Sequence, residues 1–461
     1  MKHLLLLFIA LLFLTEESYA HKNNSVTSLS PVVSTRYGKI QGLVISQDRL
    51  VQFRGIPYAQ APIGNRRWRR PLPPKAWRDT LKAVTWPDIA LQTDQDKGSF
   101  YEKEFFRFGM PKSSENCLFI NITMPLKALA HDGAIPVCVW YHGGAYQNGY
   151  SYEMEMDPTE WARRGVIFVS VGYRMGITGF LCHPELDKEV SDHSSGNYGT
   201  YDQVAALRWV HDNIAAFGGD PSRITIMGQS AGGGSVKNLC ASPLSRGLIA
   251  GAIIQSAGGL GNFLSGNDPE DYMRSMGKML MDSIGLTTLK KMRAADKEAV
   301  RDPWTMTRRQ GINTMRVFTP HTGGDILPES FDDAVLDNSV ADVPYLIGYT
   351  ANDMVPMGDA INSLASVRDS LSGKHVYAYK FCRRLPGDDA GAFHSSELWY
   401  TFGSMRHSWR PFTKEDYKLS ERMLEYWTNF VKYGNPNKNQ GTGTWRPNTS
   451  KDHYFQILDT D

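Results

Sequence analysis

The sequence has few cysteines, no excess of charge and, past residue 14, no long hydrophobic run, and each shortage removes a class of protein. Cys117, Cys138, Cys182, Cys240 and Cys382 are odd in number. They are spaced like neither a zinc ribbon nor a disulfide-dense scaffold, so they read as small buried side chains. Fifty Lys and Arg against 48 Asp and Glu leave a formal +2, which excludes the basic footprint of a general nucleic-acid binder. The dense basic run Arg66-Arg67-Trp68-Arg69-Arg70 fits a solvated or ion-paired loop. No internal stretch approaches ~20 uninterrupted apolar residues, so no membrane anchor is expected. Neither repeats nor a linker long enough to separate domains interrupt the chain.

Lys2 and His3 precede an apolar run over 4–14, and Ser18-Tyr19-Ala20 supplies a small-x-small cleavage pattern. Residues 1–20 therefore read as a secretory signal cleaved near Ala20, with no cysteine at the junction for a lipid. The expectation is a secreted or periplasmic protein whose residues 21–461 form one domain.

Short turn-linked strands over 36–42 and 51–53 and a Pro-rich segment over 57–74 lead into a different pattern. Runs at 118–123, 135–140 and 166–171 are apolar and rich in β-branched and aromatic residues, as strands buried on both faces are. Further strands are expected at 223–227, 251–255, 344–348 and 375–381. Leu207, Val210, Ile214 and Phe217 have helical spacing and stop at Gly218-Gly219-Asp220-Pro221. Residues 268–300 read as an inserted helical region. A last helix starts at Thr413, with Asp416 three residues on, carries Leu419, Met423, Trp427 and Val431 on one face, and ends at Gly434. Alternating strands and helices predict an α/β fold with a mostly parallel central sheet and helices on both faces.

Gly228-Gln229-Ser230-Ala231-Gly232 follows a strand and opens a small-residue helix, the context in which G-x-S-x-G makes a nucleophile elbow. A serine needs a base, and the base needs a carboxylate to hold its tautomer and stabilise the imidazolium. On an elbow of this kind the order is serine, acid, histidine. Asp353 lies just past a later strand, and His394 stands in a loop one strand beyond it. His375, in a strand pattern, His407, ahead of the last helix, and His453, in the tail, are less well placed. The oxyanion donors are expected from the loop His142-Gly143-Gly144-Ala145 and from Ala231, with His142 itself mainly fixing local hydrogen bonds.

Over nearly all of residues 21–461 the chain resembles the type-B carboxylesterase family, which includes the cholinesterases and the adhesion proteins called neuroligins. The shared motifs run in order: Phe53-Arg54-Gly55-Ile56-Pro57-Tyr58-Ala59, Ser114-Glu115-Asn116-Cys117-Leu118, the His-Gly-Gly loop, Gly196-Asn197-Tyr198-Gly199 with Asp202-Gln203, Phe217-Gly218-Gly219-Asp220-Pro221, and the elbow. The resemblance implies the α/β-hydrolase fold, Ser230 as nucleophile, Asp353 as acid, His394 as base, and Gly144, Ala145 and Ala231 as the oxyanion hole. It also implies that Arg54 pairs with Glu115 and that Ser256 supports Asp353. Gln229 and Asp353 stand where the family usually has Glu before the serine and often has Glu as the acid. Cys117 lacks the earlier cysteine with which the family pairs it, Ala90 standing at about that place. The loop over 91–116 contains no Trp, and with Gln229 neutral a cationic choline ester is disfavoured.

The expected function is a secreted serine carboxylic ester hydrolase acting through an acyl-enzyme on small-molecule or carbohydrate-linked esters that carry no charge. No metal or organic cofactor is implied. Two other readings share the framework: a catalytically silent neuroligin-like binding module, and an amidase or acyltransferase with the same triad. Phe105, Phe106, Phe108, Tyr146, Trp399 and Tyr400 could line an acyl pocket or pack the core, packing being the default for any one of them.

Overall fold

Successive residues of a strand point to opposite faces, so a strand that is apolar throughout must be covered on both. The strand Ile135–Tyr141 is buried at every residue. Val137, Val139 and Tyr141 enter one hydrophobic core, while Cys138 and Trp140 enter another. The first core also takes Leu207 and Val210 from the helix Tyr198–Asn213 and Val236 and Leu239 from the helix Ala231–Ala241. The second takes Leu419, Met423, Trp427 and Val431 from the helix Lys414–Tyr433. Each fully buried aliphatic side chain contributes about 1.5–3 kcal/mol, so both layers are needed to stabilise the sheet between them.

The computed structural model describes residues 26–130, 134–261, 268–313, 316–437 and 444–460. The expected signal segment, residues 1–20, lies outside them. Among the described residues the main sheet has eleven strands. In chain order they are β1 (Val26–Leu29), β2 (Leu43–Ile45), β3 (Leu50–Pro57), β4 (Phe119–Pro125), β5 (Ile135–Tyr141), β6 (Ile167–Val171), β7 (Gly219–Gln229), β8 (Gly251–Gln255), β9 (Tyr345–Thr350), β10 (Val376–Phe381) and β11 (Gln456–Leu458). Their spatial order is β1-β2-β3-β4-β6-β5-β7-β8-β9-β10-β11. From β6 to β11 every pairing is parallel, and β1 to β4 add an antiparallel flank. Gly251–Gln255 falls where the sequence places it, and the expected strands at 223–227 and 344–348 extend to Gln229 and Thr350. The inserted region contains the helices Glu270–Ser283 and Leu289–Ala294. Among the described residues no helix is long and apolar enough to cross a membrane.

The basic run is ion-paired, with Arg67 on Glu115, Arg69 on Glu189 and Arg70 on Asp192. The first of these corrects the expected Arg54–Glu115 pair. Arg67 grips Glu115 through Nε at 2.5 Å and Nη2 at 2.7 Å. Arg54 instead donates to Gln52 Oε1 and lies over the Trp86 ring at 4.5 Å. All five cysteines are free thiols, four of them buried.

The last helix begins as its sequence requires. Thr413 accepts from the Asp416 backbone N–H, and the Asp416 carboxylate takes the Thr413 N–H at 2.7 Å, a reciprocal cap on two otherwise orphaned donors. Gly434 closes the helix at φ 66°. Thr413→Ala is expected to lower unfolding stability by about 1 kcal/mol in a urea melt while leaving kcat/KM unchanged, since the cap lies outside the candidate site.

Candidate active site

The parallel strands carry their loops to one edge of the sheet, and four of these loops meet. At the end of β7 the chain turns into the helix Ala231–Ala241 through Ser230, at φ 57° and ψ −125°. No L-residue adopts this conformation without strain, so the surroundings must hold it. The Ser230 N–H donates to Gln255 O at 2.8 Å, anchoring the turn to β8. The absent side chains are equally necessary. A Cβ on Gly228 would lie 2.2 Å from Gly232 O, and one on Gly232 would lie 2.0 Å from Tyr141 O at the end of β5. The elbow read from the sequence is present, with Ser230 at its apex and 8% exposed.

Asp353 follows β9, and its side chain is 1% exposed. Thr350 Oγ1 and the Thr350 N–H donate to Oδ2, and the Met354 N–H donates to Oδ1 at 2.8 Å. Burial alone would raise this carboxyl, but the hydrogen bond and charge of His394, with Ser256 and the Met354 N–H, outweigh it and hold Asp353 below the usual carboxylate range. His394 Nδ1 lies 2.6 Å from Asp353 Oδ1. The His394 loop is fixed by Asn352, whose N–H reaches Ala392 O and whose Oδ1 accepts the Ala392 N–H, and by Tyr101, whose hydroxyl donates to His394 O at 3.1 Å.

His394 Nε2 stands 3.3 Å from Gln229 Nε2. With Nδ1–H donated to the Asp353 carboxylate, the Nε2 lone pair accepts from the Gln229 amide, the tautomer a general base needs. No hydrogen bond joins Ser230 Oγ to His394 in this geometry, and it is the Gln229 amide that meets Nε2. The sequence gives no sign of this contact, because it depends on which way the Gln229 side chain points.

The His-Gly-Gly loop lies opposite. Gly144, Ala145 and Tyr146 have φ of 98°, 55° and 61°, and a Cβ on Gly144 would stand 1.9 Å from Asn148 O. Among the described residues no carbonyl or side chain takes the N–H of Gly144, Ala145 or Ala231. Three backbone donors left free at a crowded turn are what an oxyanion requires. His142 is buried, stacks on Tyr173 at 4.6 Å and holds Nδ1 2.9 Å from Gly143 O. Burial pushes its imidazole down to about 4, so it is a neutral brace for the loop.

Ser256, at φ 51°, lies behind the acid between the two carboxyls, its single hydroxyl proton serving either Glu397 Oε1, at 3.3 Å, or Asp353. Glu397 has no role in the sequence reading, although it stands only three residues after His394. Its carboxyl is buried, and burial together with the Asp353 charge pushes it up to about 7, against the opposing pull of His394. The helix Phe100–Phe105 was also unread, despite the signal of Ser99 with Glu102 three residues on. It packs Phe100 and Phe105 on Phe393, at 4.9 and 6.5 Å between ring centres, and so covers the His394 loop. Trp399 and Tyr400 belong to the core, donating to Glu104 and Asp416, and Tyr146 is fully buried. Phe105 and Phe106 are buried, while Phe108 is exposed. His375 and His453 are not part of this constellation, and His407 pairs with Asp157.

An elbow serine, an acid and a histidine on successive loops at the carboxyl edge of a parallel sheet define an α/β-hydrolase. Comparison with known proteins carries this further. The chain matches the profile of the Carboxylesterase family over residues 29–366 and 355–461. It is 28% identical to para-nitrobenzyl esterase of Bacillus subtilis (strain 168), covering 88% of this chain and 90% of that one. It is 31% identical to fumonisin B1 esterase of Sphingopyxis macrogoltabida, over 78% of this chain and 61% of that one. Among solved structures it superposes on a PNB esterase with a TM-score of 0.79 at 26% identity, covering 93% and 96% of the two chains. A thermophilic PNB esterase gives 0.79 at 28% identity, with the same coverage. The chain belongs to the carboxylesterase family, enzymes that hydrolyse carboxylic esters.

Two expectations follow from the charges around His394. Gln229→Glu places a carboxylate beside Nε2 and favours the imidazolium, so the acidic limb of the kcat/KM–pH profile should move to higher pH. Glu397 has a folded-state pKa raised from the ordinary carboxyl value to about 7. Its contribution is thus fully present below about pH 4.5 and is lost as pH rises through 7. Glu397→Gln, which keeps the neutral shape, should therefore raise Tm relative to the parent more at pH 8 than at pH 5. An equal change at both values would show that Glu397 is not titrating.

Proposed function

We propose that the protein is a secreted serine carboxylesterase that cleaves uncharged esters, acyl groups on carbohydrate among them, through an acyl-enzyme. The observation that carries the site assignment is the 2.6 Å contact between His394 Nδ1 and Asp353 Oδ1, with Nε2 turned toward the elbow. Ser230 Oγ attacks the ester carbonyl as its proton passes to His394 Nε2. Asp353 holds the ring and balances the imidazolium charge. The oxyanion is held by the N–H groups of Gly144, Ala145 and Ala231. Collapse of the tetrahedral intermediate expels the alcohol, which takes the proton from His394. Water, activated by the same Nε2, then releases the acid and restores Ser230.

Preference for uncharged alcohols rests on Gln229, an amide beside the reacting serine where a carboxylate would attract a cation. Secretion rests on the apolar run over 4–14 and the Ser18-Tyr19-Ala20 junction.

Ser230→Ala should lower kcat for p-nitrophenyl butyrate by roughly 10,000-fold or more, and Asp353→Asn by about 10,000-fold, with circular dichroism unchanged. A fluorophosphonate probe should give one adduct, on the peptide containing Ser230, by mass spectrometry. Unabated hydrolysis by Ser230→Ala, or an adduct elsewhere, would overturn the assignment. Folded protein that neither hydrolyses esters nor reacts with the probe would favour the silent binding module.

A further inference from the structure

Away from the elbow, three residues far apart in sequence bring a thiol, a carboxylate and an imidazole together. Cys182, Glu270 and His321 each offer one ligand atom, and these atoms all lie within 4.8 Å of one another. Cys182 comes from the loop after the short helix Gly176–Phe180, Glu270 is the first residue of the helix Glu270–Ser283, and His321 lies in the segment leading back toward β9. The thiol and the imidazole are buried, at 1% and 0% exposure, whereas Glu270 is partly open to solvent.

Neither ring nitrogen of His321 makes a hydrogen bond of good distance and angle, although the backbones of Ser195 and Thr319 lie close enough to act on the ring. An imidazole buried this deeply ordinarily places at least one nitrogen against a partner, because leaving both unpaired costs about 1–3 kcal/mol. Its backbone, by contrast, is pinned on both sides by Asn197, which donates Nδ2–H to His321 O at 2.7 Å and accepts the His321 N–H at 3.1 Å.

Three glycines make room for the cluster. A Cβ on Gly196 would lie 2.5 Å from His321 Cε1, one on Gly323 would lie 2.4 Å from Glu270 Oε2, and one on Gly277 would lie 2.0 Å from Cys182 O. Glu270 keeps Oε1 on Arg274 Nη2 at 2.6 Å, and Arg274 is also neutralised by Asp187 at 2.6 Å, so the arginine adds no unbalanced positive charge.

We propose that Cys182, Glu270 and His321 form a zinc site that staples the inserted helical region to the body of the enzyme. Zinc accepts sulfur, nitrogen and oxygen donors in one tetrahedron, and a thiolate and a carboxylate neutralise its two charges. Ligands about 2.0–2.3 Å from the metal stand roughly 3.3–3.8 Å apart, so side-chain rotations closing the set by about 1 Å suffice. On binding, the Cys182 thiol loses its proton to solvent as the Zn–S bond forms, with no change of oxidation state. A water takes the fourth position on the open side, next to Glu270. The ion would hold together three segments that no disulfide joins.

The test uses the full mature protein, stripped of metal with a chelator and dialysed. Titration with Co²⁺ should produce a thiolate-to-cobalt charge-transfer band and strong tetrahedral visible bands that saturate at one ion per chain and disappear on adding Zn²⁺. Elemental analysis after gel filtration should then find one zinc per chain, with Tm raised by several degrees. Cys182→Ala should lose the charge-transfer band, the retained zinc and the rise in Tm, and His321→Gln should lose the tetrahedral visible bands and the rise in Tm. Absence of the band in the parent protein overturns the site even if a variant fails to fold. Persistence of the band in Cys182→Ala, or an equal rise in Tm in parent and variants, also overturns it by placing the metal elsewhere.

Discussion

The approach of the helix Ala231–Ala241 to the end of β5 is the constraint on which the rest of the site depends. Gly232 lies against the Tyr141 carbonyl so closely that a methyl group there would overlap it, and Gly228 meets the backbone of the same helix turn. That contact sets the sharpness of the turn, which sets the strained dihedrals of Ser230, and these point the hydroxyl out of the sheet edge. It also brings the Ala231 N–H toward the loop bearing Gly144 and Ala145. A strained residue persists only where its surroundings over-determine it. Here β8 supplies that restraint through Gln255 O, and a buried Arg174–Asp202 pair, joined at 2.7 Å through both Nε and Nη2, locks the neighbouring helix to the segment after β6. Such a pair gains little net stability over apolar packing, but losing one partner would strand the other charge in the core.

Charge in the site is arranged by unequal burial. Asp353 has donors on both oxygens and stays ionised. Glu397, close behind it, is pushed up to about 7. The two carboxyls are bridged by Ser256, so one remains an anion beside the imidazole while the other takes up a proton near neutrality. Glu153 and Glu155 repeat the theme, each raised by burial, with Glu153 near the neutral His142 of the His-Gly-Gly loop. Gln229 departs from the pattern. With no carboxylate at that position, His394 Nε2 faces a neutral amide.

Much of the fold was legible because it rests on signals written locally. The strands over 135–140 and 251–255 are continuous apolar runs, and the last helix carries its cap, its stripe and its terminal glycine in order. Ser230, Asp353 and His394 could be placed because a serine elbow constrains where acid and base must follow. Features that depend on distant contacts were harder to read. β11 is three residues long and becomes a strand only by pairing with β10. The helix Gly358–Leu371 buries only Ile361, Leu364, Ala365 and Arg368, too thin a stripe to stand out. Glu115 was assigned to Arg54 by resemblance, whereas the partner, Arg67, comes from a loop whose path no periodicity reports. The Cys182, Glu270 and His321 cluster is of the same kind, since no spacing rule connects its three segments.

The order in which the sheet is completed has a consequence for biosynthesis. β10 is an inner strand because β11, at residues 456–458, lies beyond it, and Leu458 accepts the Cys382 N–H at 2.9 Å. Trp445, which also follows His394 in the chain, is fully buried among Tyr377, Tyr379, Tyr426 and Trp427. A ribosome that has made every residue of the elbow, the acid and the histidine has still not made the segment that seals this edge. Until that segment is made, the edge of β10 stays open to pairing with other chains.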